Sequence, residues 1–136
     1  MSFKEDLGEE GSFLPRIATG FGGGVSRRGS LCGALTGSVM ILGLKFGRTE
    51  AADKVRKERT LELGYQFWDR FEKEHGSCYC YDLIECHLDH PEGRKKWLDS
   101  GGMDKCTAIV EKTARILQGF LEEMKAGEAG LRKEPD

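Results

Sequence analysis

Stretches whose apolar residues repeat at helical spacing alternate along the chain with short runs of glycine or charge, and this alternation predicts helices throughout. Residues 1–11 are polar and acidic and are expected to fray. Between Ser12 and Thr19, Phe13, Leu14 and Ile17 suit a short helix with Pro15 near its start. Gly20-Phe21-Gly22-Gly23-Gly24 then breaks any regular element and reads as a loop. Ser30 is a fitting cap for a helix from Leu31 to about Phe46, closed by Gly47. Within it Gly33 and Gly37, and again Gly43 and Gly47, recur at four-residue spacing, which predicts a central helix that a neighbouring backbone approaches closely, so that a bulky residue at Gly37 overpacks.

Thr49 opens a long polar helix to about His75, with Gly76 as its stop. Its Leu61, Tyr65, Trp68 and Phe71 form one apolar stripe for a core or an interface. Cys80 to Ile84 suits a helical turn or two, Pro91 to about Leu98 another, and Asp99-Ser100-Gly101-Gly102 turns the chain. Asp104 is a good cap for a last helix with Cys106, Ile109, Val110, Thr113, Leu117, Phe120 and Met124 on one face, and a tail is expected after about Gly127. The predicted fold is all-α: a compact bundle of four to six helices around the glycine-rich Leu31 to Phe46 helix. It forms one domain over 1–136 with flexible ends at about 1–11 and 127–136.

Composition narrows the function more than the fold. The 21 basic and 23 acidic residues are mixed along the sequence and leave a net charge of -2, so nothing points to nucleic acid. The low-charge run from Leu31 to Leu44 is shorter than the roughly 20 residues that span a bilayer. It is broken by glycines, and no secretory n-region precedes Ser26-Arg27-Arg28 or Leu31-Cys32, so neither pair is read as an export or lipoprotein signal. No membrane contact and a cytoplasmic location are expected. The glycine run lacks the last position of Gly-x-Gly-x-x-Gly and follows no β-run, and no C-x-x-C-H occurs, so neither nucleotide nor haem is expected.

Five cysteines in a cytoplasmic chain of 136 residues argue for reactive or ligating thiols rather than a disulfide framework, against the plainer reading that they are small buried hydrophobes. Cys32 and Cys106 each stand two residues after a cap, near the positive end of a helix, and Cys80 shares that setting. With Arg27 and Arg28 nearby, Cys32 is expected to ionise below the free-cysteine value of about 8.5. No pair makes a C-x-x-C. His87, beside Cys86, is a candidate metal ligand, whereas His75 and His90 look like helix-end or surface residues.

Gly20-Phe21-Gly22-Gly23-Gly24, Cys32-Gly33-Ala34-Leu35-Thr36-Gly37, Gly43-Leu44-Lys45-Phe46-Gly47-Arg48, Cys80-Tyr81-Asp82-Leu83-Ile84-Glu85-Cys86 and Cys106 follow in order. Over roughly Ile17 to Leu121 this resembles the C_GCAxxG_C_C family of redox-active proteins. The resemblance implies a small helical redox protein acting with an oxidoreductase partner. Its relation to the cysteine-rich part of split-Soret cytochromes implies an iron-sulfur cluster as cofactor. The implied ligands are Cys32, Cys80, Cys86 and Cys106, with Cys32, Cys80 and Cys106 as the redox thiols if the chemistry is dithiol-disulfide instead. Members usually carry a further cysteine ahead of the glycine run, which this chain lacks, and Cys78 stands outside the pattern. Two other readings stay open. The same four cysteines could hold a structural zinc, or the chain could be a non-catalytic assembly protein that forms a homodimer through its aromatic stripe. With no nucleophile-base set in the sequence, an electron-transfer or accessory role is favoured over a stand-alone enzyme.

Overall fold

The computed structural model describes residues 8–131; segments 1–7 and 132–136, within the ends expected to fray, lie outside the described residues. Helix α1 (Leu14–Ala18) sits between two 3-10 turns, Gly8–Phe13 and Thr19–Phe21. Then come α2 (Gly33–Phe46), α3 (Lys54–His75), α4 (Cys80–Ile84), α5 (Pro91–Asp99) and α6 (Gly102–Leu131). The fold is all-α. The only extended pairing among the described residues is an isolated antiparallel bridge between Leu31 and Tyr79. No helix among them is long and apolar enough to cross a membrane.

Helix α2 begins later than its sequence suggests, with Cys32 rather than Ser30 at the cap position. The reason lies elsewhere in the chain. The Cys32 N–H donates to the Cys78 carbonyl at 2.8 Å, and the Cys80 N–H donates to the Ser30 carbonyl at 2.6 Å. Backbone groups that a helix from Leu31 would have used are thus taken across the bridge. The other end is as expected: Gly47 closes the helix, its N–H on the Gly43 carbonyl at 2.7 Å.

The close-packed glycine face is not found. A Cβ placed on Gly37 or Gly43 would meet nothing within 4 Å among the described residues. Helix α2 instead buries Leu35, Ser38 and Leu42, three and four residues apart, and packs through them against α3 and α6.

Helix α3 is capped by Asp53, not Thr49: its Oδ1 accepts from the Arg56 N–H at 3.0 Å. Gly76 ends the helix with φ 85°. The buried face also differs from the expected stripe. Leu63, Phe67 and Phe71 are buried and Trp68 partly so, whereas Leu61 and Tyr65 are 58% and 69% exposed. A helix with apolar residues on two faces is resolved by its partner, here α6. Phe67 meets Phe120 edge-on, with ring centroids 5.7 Å apart. Arg70 lies over the outer side of Phe120 at 4.7 Å while donating to both oxygens of Glu123 at 3.0 and 2.6 Å. Each fully buried aromatic here contributes about 1.5–3 kcal/mol from lost water contact.

Helix α6 buries Thr113, Leu117, Phe120 and Leu121 and leaves Val110 54% exposed. It starts at Gly102, so Asp104 lies inside the first turn rather than at the cap. It also runs past Gly127 to Leu131, where a tail was expected. Glu128 accepts a hydrogen bond from Arg59 of α3, which anchors this extension.

Candidate thiol site

The short bridge between residues 29–32 and 78–81 builds the site. Besides the two bonds already described, the Tyr81 N–H donates to the Gly29 carbonyl at 3.1 Å. The starts of α2 and α4 are thereby held side by side, and with them Cys32 and Cys80. The glycine run packs onto the same junction. From Gly23 to Arg27 every residue has positive φ: 68°, 71°, 60°, 53° and 66°. Three of these, Val25, Ser26 and Arg27, carry a Cβ, and a left-handed residue of that kind costs roughly 1–2 kcal/mol. Cross-links hold the coil in place: Ser26 N–H to the Gly20 carbonyl at 2.8 Å, Gly29 N–H to that of Gly23 at 3.1 Å, and Ser30 N–H to that of Gly24 at 2.9 Å. Non-glycine residues persist in such a conformation only where their surroundings impose it.

These elements, with α5 and α6, wall a cleft of about 860 Å³ into which Cys32, Cys80 and Cys106 all project from separate parts of the chain. Cys32 and Cys106 are partly exposed and Cys80 is buried. The remaining wall includes Gly24, Arg27, Leu83, Arg94, Trp97 and Ile109. Arg94 is fixed by donating to the Leu88 carbonyl at 2.8 Å.

Electrostatics at the thiols run against the expectation of an easily ionised Cys32. Burial pushes its pKa above the usual 9.0, outweighing the downward pull of the Ala34 and Leu35 amides at the start of α2. A charge on Cys106 raises it further, so the two thiols sense one another. Burial likewise raises Cys80 to about 11, with charges on Cys32 and Cys106 adding to the effect. A helix start does lie beside Cys32, two residues later than the sequence suggested; desolvation is the larger effect.

Cys86 is buried but does not line the cleft. His87, next to it, stacks on Tyr81 with ring centroids 4.4 Å apart and is exposed. Cys78, set apart by the sequence reading, is fully buried directly across the bridge from Cys32. Burial raises its thiol to about 11, followed by the charges of Glu72, Cys32 and Asp69. Its signal was the two-residue step from Cys78 to Cys80, which places both on one side of an extended segment. Arg94 and Trp97 were not anticipated at all. Among the described residues, no three His, Cys, Asp or Glu side chains are grouped so as to hold a metal ion. Of the four cysteines implied as ligands, Cys32, Cys80 and Cys106 line the cleft and Cys86 does not.

Residues 1–120 match the family model described as "Putative redox-active protein (C_GCAxxG_C_C)". The chain belongs to this family. Neither a curated protein nor a solved structure matches it. The sequence features of this family acquire a spatial meaning here: the glycine run, Cys32, Cys80 and Cys106 meet at the cleft. As a C_GCAxxG_C_C protein it is placed among redox-active proteins.

Proposed function

We propose that this protein carries out reversible dithiol-disulfide exchange, with Cys32 as the attacking thiol and Cys106 as the thiol that resolves the intermediate. The observation that carries this reading is the convergence of Cys32, Cys80 and Cys106 on one cleft from positions far apart in sequence. Cys32 is partly exposed, and the amides of Ala34 and Leu35 offset part of the burial that raises its pKa. Its thiolate attacks one sulfur of a disulfide X–S–S–X, forming a Cys32–S–X mixed disulfide and releasing X–S⁻. The Cys106 thiolate then attacks Cys32, closing a Cys32–Cys106 disulfide and releasing a second X–S⁻. The two protons lost by the thiols go to solvent or to the departing thiolates, and the two electrons leave with X. Cys80, buried at the same cleft, feels the charges of both and supplies a third thiol to the site.

The test is oxidation of reduced protein with a small disulfide, followed by mapping of the bonds by mass spectrometry. A Cys32–Cys106 link that forms and reverses under a dithiol reductant is expected. Cys32→Ser should abolish it while leaving helicity intact, and Cys106→Ser should trap the mixed disulfide. Absence of any internal disulfide, or iron and sulfide in protein purified without oxygen, would overturn the reading.

A further inference from the structure

We infer that the cleft takes a small disulfide, or its thiol, whose largely apolar body carries a carboxylate or another anionic group. This rests on the dithiol-disulfide reading above and names the substrate class of that same site. Size comes first: about 860 Å³ lies within the roughly 300–1,000 Å³ of small-molecule sites. The wall comes second. Leu83, Ile84, Leu88, Trp97 and Ile109 give the cleft an apolar side that favours a hydrocarbon or aromatic body.

Charge decides the rest. The chain holds more acidic than basic residues, 23 against 21, yet among the described residues no Asp or Glu lines the cleft while Arg27 and Arg94 both do. Neither guanidinium takes part in an ion pair among the described residues. They come from different elements, Arg27 from the positive-φ coil and Arg94 from α5, so their convergence is a product of the fold. Two cations against a low-dielectric wall focus a positive field into the cleft. An anionic disulfide is drawn in, a cationic one repelled, and the X–S⁻ released at each step departs into a field that stabilises it.

The full-length reduced protein is mixed with three disulfides: an aromatic dicarboxylate, a neutral dipyridyl disulfide and cystamine, which is a diammonium compound. Each rate is divided by the rate of the same compound with a capped cysteine peptide, which removes differences in intrinsic reactivity. A normalised preference of about tenfold for the dicarboxylate over cystamine is expected, at the lower end of what such fields produce. It should shrink as salt is raised. The Arg27→Gln, Arg94→Gln double variant should lose it, and the Arg27→Lys, Arg94→Lys variant should keep it. No preference, or one that survives loss of both guanidiniums, would overturn the proposal. A dicarboxylate thioether with the same body cannot exchange, so its binding, followed at the Trp97 indole N–H by NMR, reports the substrate class alone. Arginine-dependent thioether binding without any internal disulfide would therefore sink the exchange chemistry and retain the anionic ligand. Exchange without charge preference, together with no thioether binding, would do the reverse.

Discussion

Gly24 lies so close to Cys80 that a Cβ built on it would stand 2.6 Å from the Cys80 Cβ, and equally near the Ser30 amide nitrogen. Its φ of 71° is a second barrier to any side chain. Gly24 is therefore where the glycine run touches the thiol site. Gly24→Ala should destabilise the protein by about 2–4 kcal/mol, from overpacking and left-handed strain together. The paired control is Gly37→Ala, where none of the described residues comes within 4 Å of an added Cβ. That substitution should stabilise α2 by about 0.5–1 kcal/mol. Thermal denaturation of both variants checks the contrast, and a Gly37→Ala protein less stable than wild type would contradict it.

The raised thiol pKa values make stability fall on the alkaline side. Cys78 and Cys80 hold their protons to about pH 11 in the folded state, whereas unfolded thiols ionise near the ordinary 9.0. Above pH 9 the unfolded chain binds fewer protons than the folded one, so stability is full below that pH and is lost progressively toward 11. Urea denaturation between pH 8 and 10.5 should show this decline, and Cys78→Ala should flatten it. Alkylation of Cys32 followed against pH should give a midpoint above 9.0. A midpoint near neutrality would mean that the helix start outweighs burial.

His75 produces a loss on the acid side. Its Nε2 donates to Thr113 Oγ1 at 3.0 Å, because the Thr113 hydroxyl is itself committed to the Ile109 carbonyl at 2.6 Å. Burial lowers the His75 pKa below 6.5, the nearby Lys112 adding to the shift and Glu74 opposing it. As pH falls below 6.5 the unfolded chain takes up a proton that the folded state resists, so stability is lost from there downward to the folded pKa. Denaturation midpoints between pH 7 and 5 should fall in wild type and fall less in His75→Gln.

The Trp97 indole Nε1 is buried without a hydrogen-bond partner among the described residues. It lies against the start of α6, where a Cβ on Gly102 would come within 2.2 Å of it. An unsatisfied buried donor costs about 1–3 kcal/mol. Trp97→Phe keeps most of the ring and removes the donor, so its stability should equal or exceed that of wild type. Trp97→Ala, which empties one wall of the cleft, should cost about 2–4 kcal/mol. Chemical denaturation of the pair would separate packing from polarity, and a Trp97→Phe protein as weak as Trp97→Ala would show the N–H to be satisfied.

What the sequence determined by itself is local. Helical spacing of apolar residues, together with Gly47, Gly76 and Pro91, placed the helices and most of their ends, because those signals act within a few residues of the backbone they control. Thr113, Leu117 and Phe120 were legible as the buried face of α6 for the same reason. The tertiary structure decided what depends on residues far away. It chose Leu63 and Phe67 over Leu61 and Tyr65, because Phe120 presses on that side of α3. It moved the start of α2 from Leu31 to Gly33, because the Cys32 and Cys80 amides donate to the Cys78 and Ser30 carbonyls, a pairing of distant segments that no local pattern reveals. It turned Cys32 from an expected easily ionised thiol into one with a raised pKa, because burial is set by everything packed around the sulfur, whereas a helix start can be read from the residues beside it.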